Sequence, residues 1–353
     1  MVARLDPDAR ALLREGLVIP AHPLALDARG AFEQRRQEAL TRYYLDAGAG
    51  GLAVGVHTTQ FAVHQESVGL YELVLRCAAE TTRSWTDRRV VLVAGIVGPT
   101  EQAVAEAEVA RSLGYDLGLL GVTGASDLTE EQLIGRARAV GEVLPVFGFY
   151  LQPAVGGRRH SPEFWRRLTD LEAVAAIKIA PFDRYCTLDV VRGVCGSERR
   201  DEIALYTGND DSIVTDLVTP FRVALDGRVM EKPMVGGLLG QWAVGTRAAV
   251  RLLHEAHAAR RDGKVSTELL ALGSAWTDLH AAVFDVAHDF SGCVAGINEV
   301  LHRLGLLSSD RCLEPRDVLS SGQETAIDVG MDAYPDLVDA DFVHEHLPRW
   351  LAP

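Results

Sequence analysis

The chain contains very little lysine. Lys178, Lys232 and Lys264 are the only lysines among 35 basic residues, so arginine supplies nearly all of the positive charge. A chain that meets its need for surface charge with arginine has no solubility reason to keep a lysine inside an apolar stretch. Lys178 lies in such a stretch, VAAIKIA (174–180), and is therefore a candidate functional residue.

Other absences narrow the class of protein. The five cysteines form no CxxC pair and their number is odd, which favours a reducing cytoplasm over a disulfide framework or a thiolate zinc site. The N-terminus is charged, and no run of about 18 apolar residues occurs, so we expect a soluble cytoplasmic protein with no membrane partner. The net charge of -14 repels phosphate backbones, so nucleic acid is not an expected partner.

Short apolar stretches recur along the chain with helical stretches between them. Strands buried on both faces are continuously apolar, and their alternation with helices implies a parallel sheet. Eight such units predict a (β/α)8 TIM barrel. A doubly wound open sheet is the alternative, but no GxGxxG motif follows the first stretch. The stretches are GLVIP (16–20), GLAVGV (51–56), VVLVAGI (90–96), LGLLGV (117–122), PVFGFY (145–150), VAAIKIA (174–180), EIALYTG (202–208) and MVGGLL (234–239).

After residue 240 the pattern is purely helical. Three stretches within 241–310 carry apolar stripes at helical spacing, and the acidic tail that follows contains Pro335 and Pro348. We therefore predict a TIM-barrel catalytic domain over 1–245 and a C-terminal helical region over 246–353. The acidic tail is expected to pack loosely.

Two residues lie where a barrel carries its active site, at the C-terminal ends of the strands. Tyr150 ends the fifth apolar stretch, and Lys178 lies near the end of the sixth. An inward-facing lysine among apolar residues is partly desolvated, which lowers its pKa and frees the amine to form an iminium with a keto carbon. A tyrosine at the neighbouring strand end can relay the proton. The residues alone are equally compatible with a lysine that reaches the barrel rim and an ordinary core tyrosine.

The same two segments resemble the dihydrodipicolinate synthase/N-acetylneuraminate lyase superfamily. Its members carry a Tyr-Asn-x-Pro-like element on strand five and a Gly-x-Lys-like element on strand six. The chain reads YLQP (150–153) and IKI (177–179), with Tyr150 and Lys178 at the family separation of 28 residues. The likeness extends over about 19–310. It implies a Schiff-base lyase, aldolase or dehydratase that acts on a pyruvate-type 2-keto acid, needs no cofactor or metal, and forms a homodimer or homotetramer.

The resemblance also implies residues that bind the substrate. In the family a Gly-Thr-Thr-Gly-Glu loop after strand two holds the carboxylate of the keto acid, and the corresponding loop here is GVHTTQF (55–61). An insertion would keep Thr58 and Thr59 in that role, whereas an ungapped match would put Val56 and His57 there. We prefer the first, because hydroxyl groups and loop amides bind carboxylates and valine does not. His57 either orients the substrate or is a surface histidine.

The segment after the seventh stretch, TGNDDSIVTDL (207–217), resembles the Gly-Asp-Asp loop of the family. Gly208 is assigned to substrate binding on this basis. Asn209, Asp210 and Asp211 either support the surroundings of the lysine or cap the next helix.

Some positions depart from the family. The carboxylate-handling arginine of the synthases corresponds to Val155, and their tyrosine pair after strand four is replaced by GVTGASD (121–127). A true dihydrodipicolinate synthase is therefore not expected. Two other functions stay open: a non-catalytic metabolite-binding barrel, and a metal-assisted hydrolase with His57 and the Asp210/Asp211 pair as ligand candidates. The histidines of the later helices lack the HExxH form, so no metal site is predicted.

Overall fold

A computed structural model describes residues 2–352. The described chain forms two compact units. The first comprises the chain up to Leu17, Val91–Leu238 and Ala256–Val265, and the second comprises Val18–Val90, Leu239–Glu255 and the chain from Ser266 onward. The domain boundary predicted after residue 245 coincides with the start of a helix at Thr246, and as a division into domains it stays a prediction.

Each of the eight apolar stretches contains a strand. The strands are β1 (Val18–Pro20), β2 (Gly51–Val54), β3 (Val91–Ile96), β4 (Leu117–Leu120), β5 (Val146–Leu151), β6 (Val174–Ala180), β7 (Ala204–Thr207), β8 (Pro220–Leu225) and β9 (Arg228–Leu239). The helices are α1 (Pro7–Glu15), α2 (Gln34–Asp46), α3 (Tyr71–Trp85), α4 (Thr100–Ser112), α5 (Glu130–Gly141), α6 (Pro162–Thr169), α7 (Arg184–Cys195), α8 (Ile213–Val218), α9 (Thr246–Asp262), α10 (Thr267–Val283), α11 (Cys293–Arg303), α12 (Gln323–Ala333) and α13 (Ala340–Trp350).

The first unit is built on a parallel sheet in the order β3-β4-β5-β6-β7-β9. Strands β3 to β7 are buried along their whole length, because helices cover one face and side chains from neighbouring strands fill the other. In the second unit β1 and β2 lie side by side, with a parallel bridge between Ala21 and Ala53. Eight parallel strands alternating with helices, followed by C-terminal helices, confirm the predicted (β/α)8 barrel with a C-terminal helical extension.

A β-hairpin in the first unit was not anticipated from the sequence. β8 pairs with the first half of β9 in an antiparallel register, from Pro220 opposite Pro233 to Leu225 opposite Arg228. The turn between them is Asp226-Gly227, and both residues have positive φ (49° and 74°), as a two-residue type I′ turn requires. The sequence signal for this hairpin was an Asp-Gly pair between two stretches in which apolar and polar residues alternate. In β9 the Nζ of Lys232 donates to the carbonyl of Arg200 at 2.5 Å.

The C-terminal tail packs more closely than predicted. Its last helix, α13, buries Trp350 completely within the second unit. The indole Nε1 of Trp350 donates to Asp46 at 2.7 Å, and Arg42 donates to the carbonyl of Trp350 at 2.6 Å. The expectation of a loosely packed tail is therefore wrong, because it weighed charge and proline content and overlooked one large anchoring side chain.

Within residues 2–352, no helix combines the length and apolar character needed to cross a membrane.

Glycine in α7 allows that helix to approach α6. A Cβ on Gly193 would lie 2.5 Å from Trp165 Cβ and 2.6 Å from the carbonyl oxygen of Pro162. We expect Gly193→Ala to lower the free energy of unfolding by about 1–3 kcal/mol, the range typical of overpacking. The matched control is Gly135→Ala in α5, where a Cβ meets nothing within 4 Å. This control should raise the stability by roughly 0.5–1 kcal/mol through helix propensity. Urea denaturation measures both, and a Gly193→Ala variant as stable as the wild type would contradict the packing argument.

Candidate active site

Lys178 lies near the C-terminal end of β6, within the first unit. All seven residues of β6 are buried, and only 9% of Lys178 is exposed. β6 runs between β5 and β7, with Lys178 opposite Phe149 on one side and Tyr206 on the other. The Nζ of Lys178 lies 4.4 Å from the centroid of the Phe149 ring. The ring therefore offers the ammonium form a cation–π contact.

The surroundings of Lys178 favour its neutral form. Burial lowers the pKa of Lys178 to about 8, and the negative charge of Asp210 opposes this shift. At pKa 8 roughly a tenth of the amine is neutral at pH 7, against less than a thousandth at its ordinary value. The site therefore holds an amine that can act as a nucleophile near neutral pH.

Gly208 makes room for the lysine side chain. A Cβ on Gly208 would lie 2.6 Å from Lys178 Cε and 3.2 Å from Lys178 Cγ. Its amide donates to the carbonyl of Ile179 at 2.7 Å, which fixes the loop after β7 to the strand that carries the lysine. The structure thus brings Gly208 and Lys178 together. The predicted role of Gly208 in substrate binding stays a prediction.

A buried carboxylate organises the loop after β7. Asp216 is fully buried and accepts hydrogen bonds from Thr207 Oγ1 at 2.6 Å and Asn209 Nδ2 at 2.9 Å, and it forms an ion pair with Arg184. Burial raises the pKa of Asp216, and the Arg184 guanidinium opposes the shift. The side-chain oxygen of Asn209 accepts from the amide of Phe182 at 3.1 Å. Asn209 therefore supports the surroundings of the lysine, the first of the two roles considered for it.

The structure does not bring Tyr150 to Lys178. The ring of Tyr150 lies 5.0 Å from the Trp165 ring on α6. Burial raises the pKa of Tyr150, and a side-chain contact with Cys186 on α7 adds to this rise. Adjacent residues of a strand point to opposite faces, so Phe149 faces the lysine and Tyr150 faces the helices. The expectation that these two side chains meet is corrected accordingly.

A β-bulge explains the difference. Val146 is opposite Val174, but Phe147 is opposite Ala176, so Ala175 has no counterpart on β5. Without this extra residue the sequence separation of 28 would place Tyr150 opposite Lys178. A register change of one residue exchanges the two faces of a strand, and Phe149 takes the position instead.

The predicted carboxylate loop belongs to the second unit. The Oγ1 of Thr58 donates to the carbonyl of Ala21 at 2.8 Å, and the Oγ1 of Thr59 donates to that of His22 at 2.6 Å. Thr59 Oγ1 also accepts from the amide of Gly55 at 3.0 Å. His57 is half-buried, with its ring 5.6 Å from that of Phe61. These bonds hold the loop to the segment after β1, and binding of a carboxylate by Thr58, Thr59 or His57 stays a prediction.

Sequence reasoning missed two features of the site. Phe149 was passed over because nothing in the sequence signals the bulge that turns it toward Lys178. Asp216 was also passed over, although an acidic residue inside the apolar helix IVTDLV (213–218) was a usable signal. Among the residues that the structure describes, no three histidine, cysteine, aspartate or glutamate side chains are grouped so that they could hold a metal ion.

Sequence comparison relates part of the chain to a known enzyme. No family model matches the chain. It is 30% identical over 131 residues to a 4-hydroxy-tetrahydrodipicolinate synthase of Clostridium novyi (strain NT), a match that covers 36% of this chain and 42% of that protein. The chain thus spans less than half of the length of this curated relative.

Solved structures resemble nearly the whole chain. A dihydrodipicolinate synthase from Acinetobacter baumannii in complex with pyruvate has a TM-score of 0.72 at 17% identity, covering 90% of this chain and 98% of that one. An N-acetylneuraminate lyase from Fusobacterium nucleatum has a TM-score of 0.70 at 15% identity, covering 91% and 99%. At such identities these likenesses show the fold. The sequence match over part of the chain agrees with the resemblance to the dihydrodipicolinate synthase/N-acetylneuraminate lyase superfamily.

Proposed function

We propose that the protein is a class I lyase, an aldolase or dehydratase that acts on a pyruvate-type 2-keto acid through an iminium on Lys178. The observation that carries the proposal is the amine of Lys178, buried at the C-terminal end of a barrel strand with its pKa lowered to about 8. The relatives support the same class, since one is named as a synthase and another as a lyase. One solved relative is described in complex with pyruvate, which is a 2-keto acid.

The proposed reaction begins with attack of the neutral amine on the keto carbon. The resulting carbinolamine takes up a proton and loses water, which leaves an iminium between Nζ and the former keto carbon. The iminium accepts the electron pair of a bond that breaks at the adjacent carbon, giving an enamine. Protonation of the enamine, or its addition to an aldehyde, followed by hydrolysis, returns the free lysine.

We assign Asp210, in the first unit, as the group that accepts the proton when the ammonium of Lys178 becomes a free amine. Its charge acts directly on Lys178 and raises the pKa of the amine, as expected for a carboxylate close to an ammonium. Tyr150, on the opposite face of the sheet, has no part in this step. Assembly as a homodimer or homotetramer, and a substrate other than that of the true synthases, stay predictions from the resemblance.

Two other functions remain distinguishable. A non-catalytic metabolite-binding barrel would bind a keto acid without covalent attachment. A metal-assisted hydrolase would need a set of ligands, and the described residues offer no group of three. Neither is favoured by a specific observation.

Reductive trapping tests the proposal directly. Incubation with pyruvate and related 2-keto acids, followed by borohydride, should add the mass of the keto acid plus two hydrogens minus water. Peptide mapping should locate the adduct on Lys178, and Lys178→Met should remove it, while Lys264→Met in an exposed turn should not. If no 2-keto acid gives an adduct and an activity of the wild type survives Lys178→Met, the proposal is wrong.

The pH dependence of adduct formation should report the charge of Asp210. In the wild type the initial rate should rise with pH through a midpoint near the lysine pKa of about 8, because only the neutral amine attacks. Asp210→Asn removes the charge that raises this pKa, so the midpoint should move to lower pH. Asp211→Asn, at the next residue, serves as the control and should leave the midpoint in place. An unchanged midpoint in Asp210→Asn would show that Asp210 does not act on the lysine.

A functional lysine of this kind should destabilise the fold. Its pKa falls from 10.5 to about 8 on burial, which corresponds to roughly 3 kcal/mol against the ammonium in the folded state. Lys178→Met should therefore raise the free energy of unfolding by about 3 kcal/mol at pH 7. The unfolded chain binds more protons between pH 8 and 10.5, so wild-type stability rises over that range and the advantage of methionine fades. Urea denaturation at several pH values measures this, and a net loss of stability in Lys178→Met would indicate a structural lysine.

A further inference from the structure

A buried histidine in the second unit joins the segment after β1 to the helix that follows it. His22 lies two residues beyond β1 and is completely buried. Its Nε2 lies 2.8 Å from Thr41 Oγ1 and its Nδ1 lies 2.9 Å from Gln37 Nε2, and both partners are on α2. The ring of Tyr44, also on α2, meets the imidazole edge-on with the two centroids 5.1 Å apart.

The neighbours of His22 fix its tautomer. The hydroxyl of Thr41 donates to the carbonyl of Gln37 at 3.0 Å, so it accepts the proton of His22 Nε2. The side-chain oxygen of Gln37 accepts from the amide of Ala25 at 2.8 Å, so the NH2 group of Gln37 faces His22 Nδ1. The other N–H of that group donates to the carbonyl of Pro23 at 2.9 Å. Nδ1 therefore carries a lone pair. Burial lowers the pKa of His22 to about 4, so at pH 7 the ring is neutral with its proton on Nε2.

The segment that His22 fixes also carries the loop 55–61. The carbonyls of Ala21 and His22 accept from the hydroxyl groups of Thr58 at 2.8 Å and Thr59 at 2.6 Å. The amide of His22 donates in the other direction, to the carbonyl of Ala53 on β2 at 2.8 Å. Two carbonyls thus set the position of the loop, and the hydrogen bonds of the His22 ring set the position of the segment that contains them.

The hydroxyl protons of Thr58 and Thr59 are already engaged in this arrangement. A hydroxyl group has one proton to donate, and each of these donates to a backbone carbonyl. Thr59 Oγ1 also accepts from the amides of Gly55 at 3.0 Å and Val56 at 3.2 Å. A carboxylate bound by this loop would therefore rely on backbone amides. The directions of these amides depend on the loop conformation, and hydrogen bonds weaken steeply as their angles depart from linear.

We propose that His22 is a positioning residue for the carboxylate group of the substrate. As the Nε2–H tautomer it holds the segment after β1 against α2. Through the carbonyls of Ala21 and His22 it then holds the amides of the loop 55–61 in the directions that bind a carboxylate. The inference rests on the proposed function and on the predicted role of this loop. Recognition of the acid group then depends on a side chain that is itself fully buried.

The substitution Thr41→Val tests the proposal, because it removes the acceptor of the His22 Nε2 proton and leaves a side chain of similar shape. Reductive trapping with cyanoborohydride gives the pyruvate concentration at which the trapping rate is half-maximal. This concentration should rise roughly three- to tenfold in Thr41→Val, the effect of losing about one hydrogen bond. Methyl pyruvate, whose acid group is esterified and uncharged, should show the same concentration dependence in the wild type and the variant.

The matched control is Thr82→Val. Thr82 is buried on α3 in the same unit, and its hydroxyl donates to the carbonyl of Ala78 at 2.7 Å, just as that of Thr41 donates within α2. His22 is bonded to Thr41 and not to Thr82. The control variant should therefore keep the pyruvate dependence of the wild type. An unchanged pyruvate dependence in Thr41→Val, or an equal change for pyruvate and methyl pyruvate, would overturn the proposal.

Nuclear magnetic resonance of the wild type tests the tautomer without any substitution. In the full chain labelled with 15N-histidine, the ring whose protons show contacts with Tyr44 belongs to His22. Its Nδ1 should have the chemical shift of an unprotonated nitrogen and its Nε2 that of a protonated one, unchanged from pH 7 to pH 5. A proton on Nδ1 at pH 7 would contradict the proposal. This measurement needs no substrate, so it remains decisive if no keto acid forms an adduct, a result that counts against the proposed function instead.

Discussion

The candidate site depends on the burial of the Lys178 amine in a strand that contains no acidic residue to pair with it. Lys178 is the only charged residue among the seven of β6, and its Nζ lies over the Phe149 ring. An ammonium ion in such surroundings loses hydration that a single cation–π contact does not replace. The fold therefore raises the fraction of free amine, the form that can react, to roughly a tenth at pH 7. The reactivity of Lys178 and its unfavourable contribution to stability both result from this loss of hydration.

A rigid loop keeps the lysine in place. Gly208 packs against its stem, and Asn209 joins the loop after β7 to the turn after β6. Asp216, which is fully buried, accepts hydrogen bonds from Thr207 and Asn209, the residues on either side of Gly208. Such support allows a long flexible side chain to occupy one position before any substrate arrives, which lowers the entropy that must be lost in the reaction.

The sequence predicted the strands well because each is a continuous apolar stretch between helices. It predicted Lys178 because a lysine inside such a stretch is conspicuous in a chain with three lysines. It could not predict the bulge at Ala175, since an alanine gives no sign of lacking a partner, and this residue decides whether Tyr150 or Phe149 faces the amine. The tail was misjudged for a related reason, because the burial of Trp350 depends on contacts with Asp46 and Arg42, which are about 300 residues away along the chain.

The way in which the lysines are placed has a consequence for the durability of the protein. Primary amines condense with aldehydes and ketones, whereas the guanidinium of arginine stays protonated and reacts far less readily. Lys178 is buried, and Lys232 is held by the carbonyl of Arg200, which leaves Lys264 as the one lysine side chain of the described structure in an exposed turn. A surface built in this way offers reactive carbonyl compounds very few sites for unwanted adducts.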